Sequence, residues 1–123
     1  MISPKQKLIG AIITGLIIAI TAGWVWQATQ TRNQVVARLP RIPDLTGQPP
    51  ALQERIQAAD NRAISLTGPL EGFAELSRLY HANGYLETAK TCYEGLAALQ
   101  PDNARWVHRH ASILAGFGIT DSA

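Results

Sequence analysis

The chain has 123 residues, enough for one small domain, and its hydrophobic residues, 46% of the total, are concentrated near the N-terminus. The chain has eleven Lys and Arg residues, of which two, Lys5 and Lys7, precede the first apolar run. The other nine balance the nine Asp and Glu residues, so the net charge of +2 comes from these two lysines. The charge therefore does not indicate nucleic-acid binding, which needs a basic patch interleaved with exposed aromatic residues, and the single cysteine, Cys92, excludes a disulfide within the chain.

The first element is an uncharged run of 19 residues, LIGAIITGLIIAITAGWVW, which extends from Leu8 to Trp26. As a helix it would be about 28 Å long, close to the hydrocarbon thickness of a bilayer. Tryptophans at 24 and 26 mark one end, where indole rings favour the membrane interface, and Lys5 and Lys7 flank the other end. The sequence therefore predicts a transmembrane anchor in residues 1–28.

A cleaved secretory signal peptide is the alternative for this segment, because Ala19-Ile20-Thr21 resembles a small-x-small cleavage site. We favour the anchor, since the apolar run is longer than the usual core of a signal peptide. Arginines at 32, 38 and 41 nearly balance the basic N-terminus under the positive-inside rule. We expect the short N-terminal tail to stay in the cytoplasm, which makes the protein a single-pass cell-membrane protein with a periplasmic or other extracytoplasmic domain.

Small residues recur at every fourth position of the predicted anchor and so lie on one helix face: Ala11, Gly15, Ala19 and Gly23. Small residues let two backbones approach closely, and such packing drives helix association in lipid. The pattern predicts a packing face for a homodimer or for another membrane helix. The alternative is that Gly and Ala are simply common in transmembrane helices.

Residues 29–50 are expected to form a juxtamembrane segment and a Pro-rich linker. The stretch from Gln27 to Ala37 is polar and could continue the helix. The stretch 39–50 should be extended and irregular, because it contains four prolines, Pro40, Pro43, Pro49 and Pro50. The spacing of these prolines fits a stiff spacer between two domains.

Residues 51–123 are predicted to form a helical domain, so the fold class is all-α. Apolar residues at helical spacing indicate one helix at about 50–66, a second between Pro69 and the Asn83-Gly84 turn, and a third from Leu86 to Pro101. The tight turn makes the last two antiparallel neighbours, with Ala89 near Tyr80 where they cross. Cys92, on an apolar helix position, is expected to be a small buried residue.

Residues 70–103 resemble one tetratricopeptide repeat, a helix-turn-helix unit of about 34 residues. The positions that match the family's pattern are Phe73, Leu76, Ser77, Tyr80, Gly84, Ala89, Tyr93 and Pro101. Leu96 stands where the family usually has alanine, and Ser77 is slightly large for its position. The layout of anchor and repeats also resembles bacterial membrane-anchored tetratricopeptide proteins.

A second, partial repeat is expected in residues 104–123. Ala111, Gly118 and Ala123 fall on its small and turn positions, although Val107 and His110 replace the usual large aromatic residue and leucine. Since repeat arrays need about three units and a polar cap, we expect a truncated product or a fragment. Apolar residues that would then lack a covering helix are Ile113, Leu114, Phe117 and Ile119.

Motifs for catalysis or cofactors are not evident, so we expect no enzyme activity and no cofactor. There is no CxxCH, no phosphate-binding glycine loop and no local Ser/His/Asp motif. His108 and His110 are two apart on a predicted helix and point in different directions, which disfavours a metal site. Glu71 and Glu75 are more simply explained as a solvated helix face.

The resemblance implies a scaffold or adaptor for protein-protein interaction, because stacked repeats form a concave groove that binds a protein or peptide partner. The alternative is a structural accessory subunit of a membrane complex, of the cytochrome maturation or secretion type, without peptide capture. By resemblance, the groove positions are Ala74, Arg78, His81, His108 and Ser112.

Overall fold

A computed structural model describes residues 2–116, which form five α-helices and contain no β-strand. The predicted all-α class is therefore confirmed for this part of the chain. The helices, with the labels used below, are α1 (Pro4–Arg38), α2 (Pro50–Ala63), α3 (Pro69–Ala82), α4 (Leu86–Leu99) and α5 (Ala104–Gly116).

Helix α1 begins with a reciprocal cap. The Ser3 hydroxyl accepts a hydrogen bond from the Gln6 backbone N–H at 3.2 Å, and the Gln6 side-chain oxygen accepts one from the Ser3 N–H at 3.0 Å. The helix continues without a break for 35 residues, or about 52 Å, so the polar stretch from Gln27 to Ala37 does extend the apolar segment. By length and composition, α1 is the one helix of residues 2–116 that could cross a membrane.

The C-terminal third of α1 packs against the other helices. Val35 is fully buried in the core, and the Arg32 side chain donates a hydrogen bond to the backbone carbonyl of Ile64. The following stretch, 39–49, is irregular as the prolines predict, but Leu39 and Leu45 contact the core. Residues assigned from the sequence to a juxtamembrane segment and linker thus also contribute to packing.

Helices α2 to α5 follow one another in the chain, and each packs against the next. Helix α3 contacts α2 and α4, and α5 contacts α4 alone over the residues described. Helix α2 ends at Ala63, three residues before the predicted end. The chain must turn there before Pro69 starts α3, and Gly68 takes a φ of 144° in that turn.

Gly72 lies at the closest approach of α2 and α3. A β-carbon at this position would lie 2.4 Å from the backbone nitrogen of Ala63 and 2.9 Å from the carbonyl oxygen of Ala59. The two backbones can approach this closely because Gly72 has no side chain. Sequence reasoning did not identify this position, whereas it did identify Gly84, which forms the α3–α4 turn with a φ of 84°.

The core contains the α3 and α4 residues that carry the family resemblance. Phe73, Leu76, Tyr80, Ala89 and Tyr93 are all fully buried. Cys92 is buried as predicted, and burial raises the pKa of its thiol to about 12. The Tyr80 hydroxyl is also buried and has no hydrogen-bond partner among the residues described.

Helix α5 packs onto α4 through Trp106 and Ile113, which are each 4% exposed. The expectation that Ile113 would lack a cover is therefore wrong, because α4 covers it. Val107 and Ala111, which the second repeat would use, are exposed. Leu114 is half-buried, and the expected positions 117, 118, 119 and 123 lie outside the described residues.

Candidate binding groove

Helices α3 and α5 form the two walls of a groove, because both pack against α4 and both line the same open cavities. We call this surface the α3–α5 groove. It contains an open cavity of about 600 Å³ near the start of both helices and a second of about 350 Å³ farther along α3. Arg78 lines both cavities, so they adjoin.

The lining residues are mostly polar or cationic. The larger cavity is lined by Arg62, Leu70, Glu71, Ala74, Glu75, Arg78, Gln100, Arg105 and Trp106. The smaller cavity is lined by Arg78, His81, Ala82, Tyr93 and Arg109. The two cavities together are lined by four arginines and two glutamates, so the groove has an excess of positive charge.

Aromatic rings from three helices form the floor of the groove. The Tyr93 ring stacks on Trp106 with centroids 6.4 Å apart and meets the His81 ring edge to face at 5.6 Å. The Tyr93 hydroxyl lies 3.1 Å from His81 Nδ1, within hydrogen-bond distance, and the Trp106 indole N–H donates to the side-chain oxygen of Gln100. These contacts fix the relative positions of α3, α4 and α5.

Only one of the four groove arginines has a carboxylate within salt-bridge distance in residues 2–116. Arg78 pairs with Glu75 at 3.0 Å, and Arg55 outside the groove pairs with the same carboxylate at 3.4 Å. The hydrogen bond from Arg78 is the main reason that the pKa of Glu75 is lowered. Arg105 lies over the Trp106 ring, with its guanidinium carbon 5.8 Å from the centroid.

This arrangement suits a ligand that carries acidic groups. Arg62, Arg105 and Arg109 have no carboxylate partner within the described structure, so their donors can meet a carboxylate from outside. A planar guanidinium can bind a carboxylate through two parallel hydrogen bonds.

The structure brings three of the five predicted groove residues together. Ala74 and Arg78 line the larger cavity, and Arg78 and His81 line the smaller one. His108 and Ser112 are exposed on α5 and line neither cavity, and the Ser112 hydroxyl donates to the His108 carbonyl at 3.0 Å.

Sequence reasoning missed the α5 wall. Arg105 and Arg109 lie four residues apart and therefore on one helix face. That spacing was a signal for a cationic wall, but it did not show that this face would meet α3. The indole of Trp106 was missed for the same reason.

The small-residue face of α1 is uncovered. Ala11, Gly15, Ala19 and Gly23 are all exposed, and a β-carbon at Gly15 or Gly23 would meet no other residue within 4 Å. No three His, Cys, Asp or Glu side chains within residues 2–116 are grouped closely enough to hold a metal ion.

No protein-family model, curated protein or solved structure matches this chain at a significant level. The resemblance to tetratricopeptide repeats therefore depends on the residues in 70–103 that fit the repeat pattern. Any function assigned to the groove depends on its own residues.

Proposed function

We propose that this protein is a membrane-anchored scaffold of the tetratricopeptide type, without catalytic activity. Helix α1 crosses the cell membrane once, α2 to α5 lie on the extracytoplasmic side, and the α3–α5 groove binds an extended, acidic segment of a protein partner.

The membrane part of the proposal is supported by the exposure of α1. Leu16 is 57% exposed and Trp24 is 60% exposed, and no other helix within residues 2–116 covers the apolar segment that contains them. Exposed apolar surface of this extent is unfavourable in water and favourable in a bilayer.

The repeat part is supported by the packing of α2 to α5. Each helix contacts only its neighbours in sequence within this group, as in arrays of stacked helix pairs. Six of the eight residues that fit the repeat pattern, among them Phe73 and Tyr93, are buried.

One observation carries the binding function: an open groove between two helices, with an aromatic floor and three arginines that lack an internal carboxylate partner in the described region. An extended peptide can lie along such a groove, and its acidic side chains or its terminal carboxylate would replace the solvent around Arg105 and Arg109.

Site-specific photo-crosslinking in intact cells tests this function. A photoreactive amino acid at Ala82, an exposed residue that lines the smaller cavity, should give a discrete cross-linked partner, and one at the exposed Gln57 of α2 should not. Replacing Arg78 and His81 with alanine should abolish the Ala82 product, because both residues line the same cavity.

Replacing Arg41 with alanine serves as the control, since this exposed arginine lies in the stretch between α1 and α2. If the Ala82 product persists in the groove variant, or never forms, the peptide-binding function is wrong. A chain that still copurifies with a membrane complex would then support the accessory-subunit alternative.

A further inference from the structure

The short connection between α2 and α3, residues 64–68, presents apolar side chains to the outside. We call it the α2–α3 corner. Ile64 is 41% exposed and Leu66 is 43% exposed, and these two residues are separated by one position. An exposed turn is more commonly polar, and a cover other than water would stabilise this apolar pair.

The α2–α3 corner lies beside the part of α1 where the apolar segment ends and the polar stretch begins. Leu66, Thr67 and Gly68 line an open cavity of about 420 Å³ whose opposite wall is Trp24 and the next two turns of α1. The hydrogen bond from Arg32 to the Ile64 carbonyl fixes the corner against that helix. Leu66 thus lines the same cavity as Trp24, which lies near the C-terminal end of the apolar run.

The first residues of α3, Pro69 to Glu71, line the same cavity as the corner, whereas α4 meets α1 farther from Trp24. The end of α4 meets α1 between Gln34 and Arg38, where Ala98 and Leu99 line a shared cavity. Gln34 is ten residues after Trp24, about 15 Å along the helix. Helix α5 does not contact α1 over the residues described, so the α2–α3 corner and the first turn of α3 are the parts of the described domain that share a cavity with the apolar segment.

We propose that the α2–α3 corner inserts Ile64 and Leu66 into the interfacial region of the bilayer beside Trp24. This inference rests on the proposed membrane anchoring of α1. Apolar side chains enter the boundary between headgroups and acyl chains, where indole rings also prefer to lie. Arg62, which is exposed and lies two residues before the corner, would lie at the depth of the lipid phosphates.

The contact would set the orientation of the groove. Arg62, Leu70 and Glu71 line the larger cavity of the α3–α5 groove, and they lie within a few residues of the corner in sequence. The side of the larger cavity formed by α2 and the start of α3 would therefore be the side nearest the membrane surface, and α3 carries the rest of the groove away from the corner. A domain held at two points, α1 and the corner, cannot rotate freely about the anchor.

The experiment uses the full chain in liposomes of phosphatidylcholine and phosphatidylglycerol, with an environment-sensitive fluorophore on a single introduced cysteine. Cys92→Ala removes the native thiol, and the labelling variants are Leu66→Cys, Val107→Cys and Leu16→Cys. Val107 is the matched control because it is an apolar residue, 52% exposed, on α5. Leu16 reports insertion of α1. Circular dichroism verifies that each labelled chain keeps its helix content.

We expect a spin label near the lipid headgroup to quench the fluorophore at position 66 and to leave position 107 unchanged. A spin label deep in the acyl chains should quench position 16. If position 16 is quenched but position 66 behaves like 107, the inference is overturned and anchoring stands. If position 16 is not quenched, anchoring fails and the inference fails with it.

A second set of variants places the fluorophore at Thr67 and changes Ile64 and Leu66 to aspartate. Charged side chains are unfavourable in the interfacial region, so headgroup quenching at position 67 should be lost. Val107→Asp is the control and should leave that quenching unchanged. Equal quenching with and without the corner aspartates would overturn the inference.

Discussion

The apolar part of α1 and the core of α2 to α5 contain similar side chains in opposite surroundings. In α1, Ile18 and Trp26 are 62% and 63% exposed, and apolar residues lie on every side of the helix. In α3 and α4, Phe73 and Tyr93 are fully buried, and the apolar residues lie on one face. A helix that is apolar all round needs a cover of lipid or of other protein on every side, whereas an amphipathic helix needs only its neighbours.

Glycines differ between the two regions in the same way. A β-carbon at Gly10 would meet no other residue within 4 Å, whereas one at Gly72 would overlap the backbone of α2. The chemistry of the residue is identical, and its structural role depends on what lies opposite. The same substitution should therefore have different consequences in the two regions.

The largest effect is expected from charges in the apolar part of α1. Ile13→Arg together with Ile17→Arg should release the protein from membranes, because each arginine near a transmembrane helix centre costs about 2.5–3.5 kcal/mol. Alkaline carbonate extraction followed by immunoblotting measures the release. Asn33→Arg together with Gln34→Arg, at exposed positions of the same helix, should leave the wild-type distribution unchanged.

Two outcomes would contradict the anchor. One is retention of the double-arginine variant in the carbonate-resistant pellet. The other is recovery of wild-type protein in the soluble fraction with a new N-terminus near Ala22, which would show cleavage as a signal peptide.

Gly72→Ala is expected to have the next largest effect, on the stability of the helical domain. The added methyl group would force α2 and α3 apart, at a free-energy cost of about 3 kcal/mol, and should lower the melting temperature measured by circular dichroism. Gly10→Ala should leave the melting temperature nearly unchanged. Equal melting temperatures for the two variants would mean that the helices do not cross at Gly72.

The two buried tyrosines should respond differently to loss of the hydroxyl group. Tyr80→Phe removes a donor that has no partner in the described structure, so the free energy of unfolding should stay equal or rise by about 1 kcal/mol. Tyr93→Phe removes the contact with His81 at 3.1 Å and should cost about 1 kcal/mol. Urea denaturation of the full chain in detergent measures both. A larger loss for Tyr80→Phe than for Tyr93→Phe would contradict this assignment.

The smallest expected effect concerns the uncovered small-residue face of α1. Gly15→Ile together with Ala19→Ile keeps the segment apolar but prevents close approach of a second helix. We predict a lower signal in a transmembrane self-association reporter. Ile13→Leu together with Ile17→Leu, which lie off this face, should not change it. An unchanged signal for the Gly15 and Ala19 variant would leave α1 as a plain anchor.

The sequence alone determined the helices and the apolar segment. Pro50 and Pro69 mark the starts of α2 and α3, and Gly84 marks the α3–α4 turn, because proline fixes φ and glycine permits a positive φ. The run from Leu8 to Trp26 is recognisable from composition because its length matches a bilayer. These signals are local, so they do not depend on how the helices pack.

Only the tertiary structure decided which helix face meets which neighbour. Helical spacing would allow α5 to pack through Val107 as readily as through Trp106, but contact with α4 selects Trp106. That choice also turns Arg105 and Arg109 towards the groove. Periodicity gives the spacing of a face but not its partner, because the partner is set by close packing between segments that are distant in sequence.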